Sequence, residues 1–296
     1  MFTKRFLNGG AIFAVGLAAV LFLAGDVAGT PPPPVKTSSE ELVLRYKFPA
    51  GQLLRYQVTG ETREITEVMG RTNETVVTSR KTQSFLGKDQ KDGRHVLDAT
   101  LDDWTMTILT SQGSLSPDLK SVKGKSFEMV LSPLGVEVDV SGAESITFEI
   151  AGNTGNLAAG FKIFFPDLPD HAVKIGDSWP SSFVIEDQGG ASSRRSEIRS
   201  ENTFEAIETV DGVECARITS KLAGTISGKG NQQGLDLLFS GTIQGKDVWY
   251  FAPKEGIFVK STSEVENEVT IAVSGTQNMT VPMTQKQKSE VKWAGR

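Results

Sequence analysis

Apolar residues in this chain recur at every second position, and that alternation governs what it can fold into. Leu54, Tyr56 and Val58 share one side of an extended segment, as do Val136, Val138 and Val140, with Glu137, Asp139 and Ser141 on the other side. The pattern returns at Ala216, Ile218 and Leu222, at Val269, Ile271 and Val273, and at Met279, Val281 and Met283. A period of two belongs to strands with one buried and one wet face, hence to antiparallel sheet rather than to helices or a doubly buried parallel sheet. Two Asp-Gly pairs, Lys91-Asp92-Gly93-Arg94 and Val210-Asp211-Gly212-Val213, lie where hairpins turn, because this dipeptide accepts the positive φ angles of a type I′ turn.

The strand pattern occurs twice. Gly124-Lys125-Ser126-Phe127 through Pro133-Leu134-Gly135-Val136 matches Gly245-Lys246-Asp247-Val248 through Pro253-Lys254-Glu255-Gly256-Ile257, each downstream of its Asp-Gly turn. The openings Gly51-Gln52-Leu53-Leu54 and Gly176-Asp177-Ser178-Trp179 also correspond. Two related halves follow, residues 42–152 and 170–293, with a short helix and hinge at 153–169. Pro166 and Pro169 fix φ and push the residues before them toward extended geometry, so no regular element runs through Phe165–Pro169. Only Thr154–Phe164 reads as helical, for one to three turns, with Asn153 or Thr154 as cap and Gly155 and Gly160 weakening it. The expected class is all-β with minor α: two related curved antiparallel sheets, half-barrel or sandwich-like, and one short helix.

The N-terminus reads as an export signal. Lys4 and Arg5 precede an apolar run from Ala11 to Ala24 and small residues through Ala28 and Gly29. The run matches the 7–15 residues of a secretory signal better than the roughly 20 of a spanning helix, so residues 1–29 are expected to be a cleaved peptide, with an uncleaved membrane tether as the alternative. No cysteine follows the run, so the chain is not read as a lipoprotein. Residues 30–41, with four consecutive prolines, form a semi-rigid linker. The expected location is periplasmic or extracellular. A formal charge of -5 leaves no global basic field for nucleic acid. A single cysteine, Cys215, excludes an intrachain disulfide and is expected on a buried or half-buried strand.

No catalytic constellation is legible, and neither metal nor cofactor is expected. His95 and His171 lie in different halves without the ligand spacing of a zinc site. His95 is expected on a strand, partly exposed, and His171 in a local hydrogen bond with Asp170. There is no G-x-S-x-G elbow, and Gly228–Gly234 matches neither phosphate-loop spacing, reading instead as a hairpin loop. Asp102 and Asp103 coincide with a switch of apolar phase, from Leu97, Ala99 and Leu101 to Trp104, Met106 and Ile108, which points to a β-bulge with two solvated acids. Asp167 and Asp170, flanking Pro169, are thin material for calcium. Arg194, Arg195 and Arg199 read as a solvated face.

The run Phe165–Trp179 and the downstream Trp249-Tyr250-Phe251-Ala252-Pro253-Lys254-Glu255-Gly256 resemble a family of secreted bacterial β-rich proteins of unknown function. The resemblance implies export and a β-rich fold, and carries no active residues. The plan of curved sheet plus short helix is also similar, in architecture alone, to the periplasmic lipoprotein carriers and their half-barrels. From these features the expected role is a non-enzymatic envelope protein that binds a lipid or other apolar ligand. Trp104, Met106, Phe161, Phe164 and Trp249 would line the concave face. The alternative is an interaction scaffold for an envelope protein.

Overall fold

The alternating segments become long strands joined by tight turns. The computed structural model describes residues 41–189, 192–232, 234–275 and 278–295; the signal segment 1–29 and the linker up to residue 40 lie outside them. In chain order the elements are β1 (Leu53–Val68), β2 (Arg71–Lys91), β3 (Arg94–Thr110), β4 (Gly113–Leu115), β5 (Lys125–Leu131), β6 (Glu137–Asp139), β7 (Thr147–Ile150), β8 (Asn153–Asn156), α1 (Ala158–Phe161), β9 (Ser178–Gly189), β10 (Ser192–Val210), β11 (Val213–Gln232), β12 (Leu235–Ala252), β13 (Ile257–Ser274) and β14 (Met279–Trp293). The class is all-β, as the alternation implies.

Among the described residues, twelve strands form one antiparallel sheet in the order β6-β5-β3-β2-β1-β14-β13-β12-β11-β10-β9, with β4 beside β3. The two strand sets read from the sequence are therefore not separate sheets. The first strand pairs with the last, from Tyr56 opposite Trp293 to Thr66 opposite Met283. Left apart, β1 and β14 would each present an unmet row of backbone N–H and C=O groups, and pairing them satisfies both. The sheet curls without closing: Arg194 on β10 acts electrostatically on Glu64 of β1, although β14, β13, β12 and β11 separate the two strands in the ladder. The gap between the β5–β6 and β9 edges holds a 3-10 turn at Ser141–Ser145, the β7–β8 hairpin and α1, with β8 against β9.

Both Asp-Gly turns have the expected geometry, with φ of 52° and 73° at Asp92 and Gly93 and of 49° and 82° at Asp211 and Gly212. Met69-Gly70 and Ala151-Gly152 turn the same way with no Asp or Asn to announce it. The bulge is also present: Thr82 faces Asp103 and Gln83 faces Leu101, leaving Asp102 as the extra residue. It lets Leu101 and Trp104 both point inward, at 1% and 3% exposure. Asp102 accepts the Ser84 hydroxyl and Asp103 pairs with Lys123 at 2.5 Å.

Four local readings are corrected. The helix spans only Ala158–Phe161, because Asn153 and Thr154 pair in β8 instead of capping it. Around β6 the faces are reversed, with Val136 and Val138 at 49% and 43% exposure and Glu137 turned inward, where its Oε1 accepts the Phe165 N–H at 3.0 Å. His95 is buried, its Nε2 3.0 Å from the Tyr46 carbonyl oxygen and its ring edge-on to Phe48, because its strand parity matches Leu97 and Ala99. Gly228 and Gly230 sit within the β10–β11 ladder, so the sheet extends through the expected loop.

The inner face carries two apolar clusters. One gathers Tyr46, Phe48, Tyr56, Phe85, Phe161, Phe164, Phe165, Phe251 and Phe258 beneath the hinge. Phe85 alone lies 4.8 Å from both Phe164 and Phe165, ring centre to ring centre. The other holds Ile198, Ile226, Ile243, Val269, Ile271, Val281 and Met283 farther along the strands. The outer face is charged: Glu197, Arg199 and Glu201 on β10 are exposed, and Lys286–Glu266 and Lys288–Glu264 pair across β13 and β14 at 3.2 and 3.1 Å. A barrel in lipid wraps itself in an outward apolar band, and this outer face is the reverse.

The turn before β6 fixes the hinge over the sheet. Gly135 has φ +95°, and a Cβ there would stand 2.5 Å from the Pro166 carbonyl oxygen and 2.7 Å from the Tyr46 ring. Gly135→Ala is expected to cost about 3 kcal/mol or more in chemical denaturation, from strain and collision together. A loss below about 1 kcal/mol would show that the hinge moves aside freely.

Candidate functional site

The alternation that builds the strands is broken at one level of the inner face. Asn202 on β10 lies opposite Ser220 on β11, Ser220 opposite Asp247 on β12, and Asp247 opposite Ser263 on β13. The row continues through Ser289 on β14 to Gly60 on β1. Each of these positions shares the inward parity of apolar neighbours such as Ile243 and Trp249, yet carries a small or polar group. Short side chains in adjacent strands leave room that Val or Leu would fill.

The room is a cavity of about 190 Å³. Its floor comes from β9 to β13, with Phe183, Ile198, Leu222, Ile243 and Val265 on one side and Ser181, Ser200, Asn202, Ser220, Asp247, Ser261 and Ser263 on the other. Its roof is Gly160 and Lys162–Asp167, with Glu137 beneath. The roof is strapped down at several points. The Tyr46 hydroxyl donates to the Pro166 carbonyl at 2.9 Å, the Trp179 indole N–H to the Asp167 carbonyl at 3.2 Å, and the Leu168 N–H to the Leu134 carbonyl at 2.7 Å.

Hydrogen bonds order the polar wall. Trp249 donates its indole N–H to Ser220 Oγ at 2.9 Å, and Ser220 donates to Asn202 Oδ1 at 2.6 Å. The Asn202 amide donates to Ser181 Oγ at 3.1 Å and to the Trp179 carbonyl at 3.3 Å. Asp247 stands outside this chain: its Oδ1 is sealed from solvent with no hydrogen-bond partner, and burial pushes its carboxyl up to about 7. Burial raises Asp167 to about 6 and holds Glu137 well above the usual carboxylate range, the latter against the lowering pull of the Phe165 N–H. Farther along the inner face, Glu64 accepts from Gln285 at 3.4 Å and is raised to about 8 by burial.

The residues expected to line an apolar face divide. Phe164 and Trp249 line the cavity. Trp104, Met106 and Phe161 are buried in the core and do not; Trp104 bonds Ser79 Oγ at 2.9 Å and lies under the Lys81 ammonium, and Phe161 meets Phe127 edge-on at 4.9 Å. Asp167 reaches the cavity, whereas Asp170 pairs with His171 at 2.8 Å on the surface, so the two acids do not converge. Sequence reading missed Asp247 and the serines. Their signal is one polar residue at an inward parity in each strand, which only the register brings to one level.

No family model and no curated protein matches the chain. Among solved structures, a presumed exported protein with a YmcC-like fold from Bacteroides fragilis is 13% identical, with 84% of this chain and 97% of that chain covered and a TM-score of 0.26. OccK2 of Pseudomonas aeruginosa, in complex with glucuronate, is 7% identical, covers 83% of this chain and 99% of its own, and scores 0.26. A mutant Rh. blastica porin scores 0.16 at 8% identity, with 80% and 99% covered. Scores this low carry no functional argument, so the site stands on its own geometry.

The raised carboxyls set the sign of a pH dependence. Asp247, Asp167 and Glu64 keep their protons to higher pH in the fold than in the unfolded chain, so they weigh against folding above these values and relent as pH falls. His95, lowered by burial, opposes them below its ordinary range, and Lys81, lowered to about 7, carries its cost in full below that pH and is relieved only above it, so it adds little slope to the window below 7. Between pH 7 and 5.5 the melting temperature is expected to rise by roughly 3 °C or more. A fall over that window would contradict the burial of these acids. Cys215, fully buried with its thiol pushed up to about 12, is expected to react with a disulfide reagent only after denaturation.

Proposed function

We propose that this protein is a non-enzymatic binding protein of the cell envelope that holds a small amphiphilic ligand on the inner face of its sheet. The observation that carries the reading is the cavity at the junction of an aromatic cluster and a polar row, roofed by the hinge. Phe164, Phe183, Ile243 and Trp249 offer an apolar bed, and Asn202, Ser220 and Asp247 offer polar groups on one wall. Few oriented polar groups on a mostly apolar lining are the usual makeup of a ligand site. At about 190 Å³ the space suits a small molecule or one chain end; a bulkier lipid requires the roof to lift. The envelope placement draws on the N-terminal run, whose charge, length and small-residue ending suit export.

A scaffold role draws on Val136 and Val138, exposed beside the edge strand β6. A stable complex with an envelope protein that is lost in Val138→Lys would select it.

Native mass spectrometry tests the binding reading, on protein exported by a bacterial host through its own N-terminal segment and purified without detergent. The expected result is a co-purifying small mass that is lost on denaturation and reduced in Trp249→Ala. A ligand-free mass under these conditions would contradict it.

A further inference from the structure

Most of the orphaned polar atoms of the inner face are oxygens; the exceptions, the Trp293 indole N–H and His95 Nδ1, lie beside the aromatic cluster. Asp247 Oδ1, Glu64 Oε1, Asn267 Oδ1 and Gln287 Oε1 are sealed from solvent without a partner, and every one is an acceptor. Glu64, Asn267 and Gln287 are 4%, 4% and 2% exposed. A buried acceptor without a donor costs free energy, and a carboxylate costs more than a neutral oxygen. Three donors nearby are committed: the Trp249 indole to Ser220, the Ser220 hydroxyl to Asn202, and the Asn202 amide to Ser181 and the Trp179 carbonyl.

Inside the cavity the balance of charge runs the same way. Asp247, Asp167 and Glu137 line it together with one cation, Lys162, whose Nζ is turned to Glu144 at 3.8 Å. Arg194 faces Glu64 elsewhere on the inner face and is not among the lining residues. Gln83 also lines the cavity at 3% exposure, and its amide carries no hydrogen bond among the described residues. The hydroxyls of Ser261 and Ser263 serve either as donors or acceptors. The lining thus sets three carboxyls against one cation that is paired with Glu144, beside an apolar bed.

We propose that the ligand carries a primary ammonium group, seated on the Asp247 carboxylate with its apolar part against Phe164 and Trp249. This rests on the binding reading above and deepens it. An ammonium has three donors and no acceptor, so it suits a carboxylate wall and the Ser263 hydroxyl opposite it at once. An anionic ligand would set like charges together at Asp247, and a purely apolar one would leave its carboxylate without a donor.

The test uses n-hexylamine, 1-hexanol and hexanoate as probes of equal chain length. Binding is measured calorimetrically at pH 8 on the detergent-free protein after any co-purified molecule has been dialysed out. Hexylammonium is expected to bind about tenfold more tightly than hexanol, with hexanoate weakest. Asp247→Asn should bring amine and alcohol to parity. Equal or tighter binding of hexanol or hexanoate by the native protein would overturn the assignment, as would binding of none of the three, or an undiminished amine preference in Asp247→Asn. If that variant does not fold, the ranking of the probes on the native protein decides alone. A neutral or anionic molecule found co-purifying would overturn the ammonium assignment and leave the binding reading standing, whereas the absence of any bound molecule speaks against the latter.

Discussion

The ladder between β1 and β14 is the interaction on which the rest of the structure depends. It joins the first and last strands from Tyr56–Trp293 to Thr66–Met283, turning two strand sets into one sheet with one inner face. The chain between the sets, 140–177, then has only the open gap between β6 and β9 in which to lie, and it fills that gap with short elements. The hinge is carried across the inner face, where Phe161, Phe164 and Phe165 complete an aromatic core that the strands alone would leave open. The Tyr56 hydroxyl, 2.8 Å from the Phe258 carbonyl, ties the first strand to β13 beneath that cover.

Between the two apolar clusters the sheet gives up packing. Ser220, Ser263, Ser289 and Gly60 occupy positions where branched side chains would add burial, and Asp247 and Glu64 retain carboxyls at the cost of desolvation. A chain shaped only by stability would fill such a band with Val, Ile or Leu. Under the proposed binding role, this band is where the polar group of the ligand would sit, against the acceptor-rich wall.

Much of the fold is legible in the sequence, and the reasons are local. Alternation marks the strands, two Asp-Gly pairs mark their turns, and the phase switch at Asp102–Asp103 marks the bulge. What local pattern does not carry is pairing: nothing around Tyr56 or Trp293 says that these residues meet, so the sequence alone suggests two sheets where the fold has one. The reversal at Val136–Val138 has the same root, because Glu137 is drawn inward by the backbone of Phe165, remote in the chain. Of the site, Phe164 and Trp249 stand out as large aromatics, whereas Asp247 looks like the wet half of an alternating strand until its parity with Ile243 and Trp249 is counted. Gln285, Gln287 and Ser289 share parity with Val281, Met283 and Val291 in the same way. A polar residue on an apolar parity is the signal, and register alone collects such residues into a row.

The central claim is that the space beneath the hinge belongs to a ligand. A crystal structure of the detergent-free protein at a resolution that distinguishes water from larger molecules tests it most directly. The account predicts continuous density of a bound molecule between Asp247, Trp249 and Phe164, within hydrogen-bond distance of the Asp247 carboxylate. A cavity holding only ordered waters that bridge Asp247 to Ser220 and Ser263 would contradict it, and would make the polar band a hydrated seam in an otherwise structural sheet.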